Sequence, residues 1–241
     1  MSLPGRDQSL HLVLGPTASA KTGHAIMLAA AVGAPVVAID RIQVFDDLAT
    51  ISGRPTAAEL NGTRRVYLDH RLLREAKTDL TVAEGLARLR RLIGRLGPAV
   101  VLEGGSISLW QAIFATLDNG RIEPHLRLVE DWDAHAAAIE DRCVAMMTIA
   151  RPSMLDELAA ALTEPAMRRV AIELIGVKAI LGWCEDHGVP PATLGAYNED
   201  AGVARSLARA MRPALVAHAR RQQDVFRALL AGRPHELEVV R

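Results

Sequence analysis

The chain has 241 residues, half of them hydrophobic, and its 28 basic and 28 acidic side chains give a formal net charge of zero. That length is sufficient for one compact domain with a proper core, and the neutral balance offers no electrostatic footprint for a nucleic acid or an anionic membrane. Cys143 and Cys184 match neither a disulfide framework nor zinc-ligand spacing, and no apolar signal segment opens the sequence. We therefore expect a soluble, cytoplasmic protein that binds no nucleic acid and no membrane.

The first 130 residues alternate between predicted strands and predicted helices. Short apolar runs bounded by polar or turn residues predict five strands, at 10–14, 35–39, 66–68, 99–102 and 126–129. A helical pattern beginning near Lys21 separates the first two strands, and another, over 82–96, precedes the fourth. Because such alternation is typical of βαβ units, we predict the α/β class, with a parallel sheet flanked by helices.

The stretch "LGPTASAKTG", residues 14–23, joins the first predicted strand to the first predicted helix. It is similar to the P-loop pattern G-x-x-x-x-G-K-[ST], with Gly15 at its start and Lys21 and Thr22 at its end. In such a loop the backbone N–H groups and the helix N-terminus face phosphate oxygens, Lys21 adds a positive charge, and Thr22 can ligate Mg²⁺. Ala20 stands at the second glycine position, where a Cβ can obstruct an unusual backbone angle or a close phosphate approach. We predict a phosphate site of the P-loop type; the alternative is an accidentally similar strand-to-helix turn.

Two acidic residues follow predicted strands and should therefore lie at the same edge of the sheet. Asp40 ends "VVAID", and Glu103 ends "VVLE" immediately before a Gly-Gly-Ser turn. Ligands bind outside the carboxyl ends of parallel strands, so both carboxylates are expected near Lys21. From the residues alone, Asp40 is equally well a turn or N-cap residue. Glu103 is either a Walker B-type acid or part of a tight strand-to-helix connection.

The last part of the chain is predicted to be helical. Amphipathic patterns predict four helices there, over roughly 133–149, 153–162, 165–186 and 199–230. Pro213 lies inside the last pattern and should kink that helix or split it in two. We therefore divide the chain into a P-loop-like α/β core over residues 1–130 and a helical part over residues 131–241 that completes the substrate channel.

Five motifs together resemble one family. "GPTASAKT", "AIDRIQ", "SGRP", "TRRVYLD" and "LEGGSISL" occur in the order and at the spacing of the bacterial-type adenylate dimethylallyltransferases (isopentenyltransferases, the cytokinin synthases). The resemblance runs from Leu10 to about Leu230 and is densest through Leu109. The loop is also similar to that of the tRNA dimethylallyltransferases, which usually carry a large helical insertion for which this chain is short. The resemblance implies Mg²⁺-dependent transfer of a dimethylallyl group from dimethylallyl diphosphate to a nitrogen acceptor, first of all the N6 amine of AMP.

The resemblance also assigns roles to single residues. Asp40 matches the general base that takes a proton from the attacking amine, and Lys21 with Mg²⁺ stabilises the departing diphosphate. Ser52 matches a contact with the acceptor base, and His218 matches a histidine beside the donor's tail. The diphosphate-binding set implied by the resemblance is Gly15, Thr17, Ser19, Ala20, Lys21, Thr22 and Arg142, with Thr22 as the metal ligand.

The acceptor side departs from the family pattern. "ELIGVK", residues 173–178, stands where the family has "DIDGYR", so Glu173 keeps a carboxylate while Ile175 replaces the second acid. An isoleucine cannot accept a hydrogen bond from adenine. Leu215 replaces a tyrosine that contacts the diphosphate in the family, and with His218 it forms the expected donor-tail pocket. The expected acceptor-binding set is Asp40, Ser52, Glu173 and Ile175.

Several alternatives stay open at the level of the sequence. The acceptor is AMP or, because of Ile175, another nucleobase, an indole or an imidazole compound. A P-loop kinase or NTPase and an inactive relative that only binds a ligand are the other candidates. In the prenyltransferase interpretation the partners are small-molecule substrates, and the protein is a monomer or a dimer.

Overall fold

The computed structural model describes residues 8–76, 78–117 and 121–240 of the chain. Six strands in these residues are β1 (Ser9–Leu14), β2 (Val36–Ala38), β3 (Arg65–Val66), β4 (Ala99–Glu103), β5 (Arg121–Val129) and β6 (Glu236–Val240). They form one parallel sheet in the order β3-β2-β4-β1-β5-β6. The predicted P-loop-type parallel sheet is confirmed, and β1, which leads into the phosphate loop, lies near its centre.

Helices cover both faces of the sheet. In the described residues they are α1 (Lys21–Val32), α2 (Ala57–Leu60), α3 (Leu73–Ala76), α4 (Val82–Ile93), α5 (Ile107–Phe114), α6 (Trp132–Thr148), α7 (Met154–Thr163), α8 (Pro165–Ala171), α9 (Val177–His187) and α10 (Ala201–Leu230). The same residues contain two 3₁₀ segments, at Asp46–Leu48 and Pro191–Tyr197. Within the described residues no helix combines the length and the apolarity that crossing a bilayer requires.

Alternation along the strands creates two hydrophobic clusters of unequal size. Val13 and Val101 point to one face, where Ala25 and Ala29 of α1 complete a small cluster. Their neighbours in sequence, such as Leu12 and its β4 partner Leu102, point to the other face, into the main core beneath the C-terminal helices. β1 and β4 therefore place apolar side chains on both faces, as is usual for central strands of a parallel sheet.

The boundaries of the C-terminal elements differ from the prediction in three places. The helix predicted over 165–186 is two helices, α8 and α9, because Gly176 takes a left-handed backbone conformation with φ 92° between them. The sequence predicted a kink or a division at Pro213; α10 is continuous there, so the helix is not divided, and buried Met211 and Ala219 anchor it on either side. β6 was not predicted at all, and it adds a strand from residues 131–241 to the sheet, although the division at residue 130 stays a prediction.

Candidate active site

A cavity of about 690 Å³ opens at the carboxyl ends of the strands, between the sheet and the C-terminal helices. Thr17 reaches it from the loop after β1, Asp40 from the loop after β2 and Gly105 from the loop after β4. Arg142 on α6 and His218 on α10 close it from the helical side. The cavity thus lies at the sheet edge where parallel α/β sheets bind their ligands.

The phosphate loop between β1 and α1 contains two alanines in the left-handed conformation, Ala18 with φ 60° and Ala20 with φ 56°. Ala20 is the residue before α1, and the structure shows no side-chain cap there, so the first N–H groups of the helix remain available to a ligand. The left-handed angle at Ala20 explains why P-loops have a glycine at this position; an alanine keeps the angle at a cost of about 1–2 kcal/mol. At Gly15 a Cβ would lie 2.8 Å from Ser19 Oγ, so the loop needs glycine there to close.

Lys21 lies inside the loop and is only 8% exposed. Its Nζ donates a hydrogen bond to the Pro16 carbonyl at 2.5 Å. Burial lowers the pKa of the Lys21 ammonium to about 8; the carboxylates of Glu103 and Asp40 oppose this, and the Arg142 guanidinium adds to it. An anionic ligand in the cavity would therefore meet a desolvated cation whose charge it stabilises.

Glu103, Thr22 and Arg65 connect the ends of three elements beside Lys21. Thr22 Oγ1 donates to Glu103 Oε1 at 3.5 Å, and Arg65 Nη2 lies 2.7 Å from Glu103 Oε2. Arg65 in turn donates to Gln43 Oε1 at 3.2 Å, which ties β3 to the loop after β2. The expectation that Glu103 lies near Lys21 is confirmed, since its charge acts directly on the lysine.

Asp40 is held in one orientation by its own loop. Its Oδ1 accepts hydrogen bonds from the backbone N–H groups of Ile42 at 2.8 Å and Gln43 at 3.1 Å, so the residue also makes the turn that the sequence offered as an alternative. Burial raises the pKa of the Asp40 carboxyl, and these two hydrogen bonds oppose the rise. A carboxylate that lines the cavity, has a fixed orientation and has a raised pKa is suited to accept a proton from a ligand.

Gln222 on α10 is a positioning residue that sequence reasoning missed. Its Oε1 accepts from the Thr17 N–H at 2.7 Å, and its Nε2 donates to the Gly105 carbonyl at 2.8 Å, so one side chain fixes two loops of the cavity. A Cβ on Gly105 would lie 2.7 Å from Gln222 Nε2, and one on Gly104 would lie 2.2 Å from the Ile39 carbonyl oxygen. The only signal in the sequence was a glutamine pair, residues 222–223, at core-facing positions of a charged helix.

The neighbouring Gln223 makes a parallel contact with the sheet itself. Its Oε1 accepts from the Val129 N–H at 2.7 Å, and its Nε2 donates to the Val129 carbonyl at 3.0 Å. The two glutamines together attach α10 to the carboxyl ends of β1, β4 and β5. β5 holds Ser19 in place, since the Ser19 carbonyl accepts from Arg127 Nε at 2.5 Å.

The residues predicted to bind the acceptor and the donor's tail all line the cavity. Ser52 does so with its hydroxyl donating to the Ala49 carbonyl at 3.0 Å. Glu173 is exposed and pairs with Lys178 at 3.2 Å, while Ile175 is 44% exposed. Burial lowers the pKa of His218. Of the predicted site residues, those on the cavity wall are Thr17, Asp40, Ser52, Arg142, Glu173, Ile175, Leu215 and His218, and those in the adjoining loop are Gly15, Ser19, Ala20, Lys21 and Thr22.

Charged residues that the sequence did not single out also line the cavity: Arg41, Asp79, Arg169 and Arg221. Arg41 forms an ion pair with Asp79 and donates from Nε to the Leu80 carbonyl at 2.6 Å, which fastens the loop after β2 to the segment before α4. Arg142 donates to the Gly53 carbonyl at 3.3 Å, and both residues line the cavity. Arg142 on the wall and Lys21 in the adjoining loop supply positive charge beside the phosphate site, and Ile139 and Met146 add apolar side chains to the wall.

Comparison with known families and structures agrees with this geometry. A family model described as isopentenyl transferase matches residues 8–235. The chain is 36% identical over 227 residues to an adenylate dimethylallyltransferase of Agrobacterium tumefaciens (strain T37), covering 90% of each chain. It is 30% identical to an adenylate dimethylallyltransferase of Rhodococcoides fascians over 227 residues, covering 91% of this chain and 88% of the relative.

Two solved structures share the fold at low sequence identity. A tRNA isopentenylpyrophosphate transferase from Bacillus halodurans superposes with a TM-score of 0.75 at 16% identity, over 97% of this chain and 90% of that chain. A tRNA delta(2)-isopentenylpyrophosphate transferase from Staphylococcus epidermidis gives a TM-score of 0.72 at 13% identity, over 96% of this chain and 93% of that chain. At these identities the likeness establishes the sheet order and the helical cover of the fold.

Proposed function

The chain belongs to the isopentenyl transferase family and is a prenyl-transferring enzyme, and we propose that it moves a dimethylallyl group from dimethylallyl diphosphate to the N6 amine of AMP. The observation that carries this proposal is the meeting of two features in one cavity. A phosphate loop with a buried lysine lies beside a carboxylate of raised pKa. Family membership excludes the alternative of a P-loop kinase or NTPase.

The reaction breaks the C1–O bond of the donor and forms a bond between C1 and the acceptor nitrogen. The diphosphate leaves with the electron pair of the broken bond, and the proton of the alkylated nitrogen passes to the Asp40 carboxylate. Lys21 and Arg142, whose charges act on each other, stabilise the departing diphosphate. Gln222 keeps Thr17 and the phosphate loop in place while negative charge develops on the departing diphosphate.

The residues beside Lys21 also suit a magnesium ion. Thr22 Oγ1 and Glu103 Oε1 are 3.5 Å apart, and hydroxyl and carboxylate oxygens are the ligands that Mg²⁺ prefers. We propose that these two side chains hold the ion, which when bound neutralises part of the charge on the diphosphate. Arg65 keeps the Glu103 carboxylate oriented through its other oxygen.

The acceptor is the finer part of the proposal. AMP is supported by the names of the relatives that match nearly the whole chain and by the neutral net charge, which offers no track for a polynucleotide. Ile175 and the apolar wall around it favour a less polar acceptor, such as another nucleobase, an indole or an imidazole compound. This second candidate leaves the donor chemistry unchanged.

The test is an acceptor panel with mass spectrometry. The protein is incubated with Mg²⁺, dimethylallyl diphosphate and, separately, AMP, ADP, ATP, adenine, a tRNA transcript, tryptophan and histidine. Asp40→Asn serves as the inactive control and Asp186→Asn, an exposed aspartate on α9, as the matched control. We expect prenylated AMP from the native chain and from Asp186→Asn alone.

The outcomes separate the donor chemistry from the acceptor. Prenylation of another compound with AMP untouched would refute AMP as the acceptor and retain the rest. If none of the acceptors is prenylated, the interpretation that remains is an inactive relative that only binds a ligand. Ile175→Asp restores the second acid, and we expect it to lower KM for AMP about tenfold, the scale of one hydrogen bond to a polar ligand group. An unchanged KM would mean that Ile175 does not contact the base.

A further inference from the structure

A cluster of histidine and glutamate side chains lies on the face of the sheet that α1 covers, away from the cavity. The β1–β5 register places His11 opposite Glu123 and Val13 opposite His125, so both β5 side chains point to the same face as His11. One ligand atom from each of His11, Glu123 and His125 lies within 4.8 Å of the others. None of these three residues lines the cavity, and prenyl transfer does not use them.

The imidazoles of this cluster are buried but incompletely bonded. His11 is 5% exposed and His125 is 7% exposed. Among the described residues, His125 Nε2 has no hydrogen-bond partner, and His11 Nδ1 and His125 Nδ1 each lie beside a single glutamate oxygen, at 3.1 Å and 2.9 Å. Buried polar groups are seldom left without a partner, because burial removes their hydrogen bonds to water and this loss destabilises the folded state. A metal ion would give His125 Nε2 a partner and would bind the nearby ligand atoms of His11 and Glu123 at the same time.

A neighbouring polar group stands beside the other nitrogen of each histidine. His11 Nε2 lies 3.3 Å from Ser9 Oγ, which leaves Nδ1 facing Glu123 Oε2 at 3.1 Å. His125 Nδ1 lies 2.9 Å from Glu236 Oε2 on β6, which leaves Nε2 as its ligand atom. Histidines that bind metals are oriented in this manner, by a carboxylate or hydroxyl at the second nitrogen.

Two imidazoles and one carboxylate form a donor set typical of zinc. In a tetrahedral zinc site with bonds of about 2.0–2.1 Å, adjacent ligand atoms are about 3.3 Å apart. The 3.1 Å between His11 Nδ1 and Glu123 Oε2 already meets this spacing. The side chain of Glu123 is 59% exposed and offers the ion a path from solvent.

We propose that His11, Glu123 and His125 form a structural binding site for one Zn²⁺ or a similar divalent transition-metal ion. The ion would join β1 to β5 on the α1 face. Glu236 would orient His125 and so connect β6 to the same site. The donor set differs from the all-oxygen set at Thr22 and Glu103, so the two sites select different ions.

Isothermal titration of chelator-treated full-length protein with ZnCl₂ tests the site. We expect one Zn²⁺ per chain, and affinity lower by about tenfold or more in His11→Gln, His125→Gln and Glu123→Gln. His187→Gln removes an exposed histidine on α9 and should bind as the native chain does. Glu103→Gln, at the proposed magnesium site, should also leave Zn²⁺ binding unchanged. X-ray absorption of the zinc complex should show nitrogen and oxygen ligands at about 2.0–2.1 Å with imidazole scattering.

Two results would overturn the proposal. One is the absence of stoichiometric Zn²⁺ binding by the native chain. The other is native affinity in Glu123→Gln, whose mostly exposed side chain can change without disturbing the core, so this variant remains informative if a histidine variant fails to fold. The titration and the spectrum do not depend on turnover, and both remain valid whatever the acceptor is.

Discussion

Replacing Gln222 by methionine should separate the stability of the fold from the positioning of the phosphate loop. Gln222 is 1% exposed, and methionine fills nearly the same volume, so no cavity forms. The Thr17 N–H and the Gly105 carbonyl each lose a partner. Because both are only half-buried, we expect the free energy of unfolding to fall by about 1–3 kcal/mol, the lower part of the range for two unpaired groups.

Gln223→Met is the matched control because it also removes two side-chain hydrogen bonds to backbone groups. Those groups belong to Val129, which is buried and does not line the cavity. Urea denaturation should show a loss at least as large as for Gln222→Met. Steady-state kinetics should show a lower kcat/KM for dimethylallyl diphosphate, by about tenfold to a hundredfold, in Gln222→Met alone, since small displacements of a binding group cost that much. Equal losses of kcat/KM in both variants would refute the positioning role of Gln222.

The other predictions concern the phosphate loop and the base. Ala20→Gly removes the strain of the left-handed backbone angle but also increases the conformational entropy of the unfolded chain. We therefore expect the free energy of unfolding to be unchanged or higher by up to about 1 kcal/mol, and the KM for the donor to be unchanged or lower. A clear loss of stability would contradict this. Lys21→Met should abolish turnover yet stabilise the protein below pH 8 by about 1–3 kcal/mol. The pKa of Lys21 is lowered to about 8 in the folded state, so between pH 8 and the ordinary lysine pKa the unfolded chain binds a proton that the folded chain does not. The native protein therefore gains stability as the pH rises through that window. If Lys21→Met is less stable than the native protein at pH 7, the reasoning is refuted. Asp40→Asn should lower kcat by about 10²–10⁴-fold with donor binding retained. In the native enzyme, kcat should fall on the acid side of its pH profile with an apparent pKa above the ordinary aspartate value, and this fall should be absent in the variant. An unchanged pH profile in the variant would mean that another residue is the base.

The sequence determined the parts of this protein that depend on neighbouring residues. The apolar run of β1, the glycine at its end and the Lys21-Thr22 pair all lie between residues 9 and 22, so the phosphate loop follows from local pattern and connectivity. The carboxyl-end rule for parallel sheets then placed Asp40 and Glu103 beside it without further information. Even the special backbone angle at Ala20 was foreseeable, because the P-loop pattern demands it there.

The tertiary structure alone decided which distant side chains complete these local features. Gln222 lies 205 positions from Thr17 in the chain, and contacts at that separation leave no periodic trace in a sequence. The polar residues of β5 and β6 obscured the alternation that identifies strands, so β6 was missed, and only the register brings His11, Glu123 and His125 together. The raised pKa of Asp40 and the lowered pKa of Lys21 likewise arise from burial, which exists only once the helices have closed over the sheet.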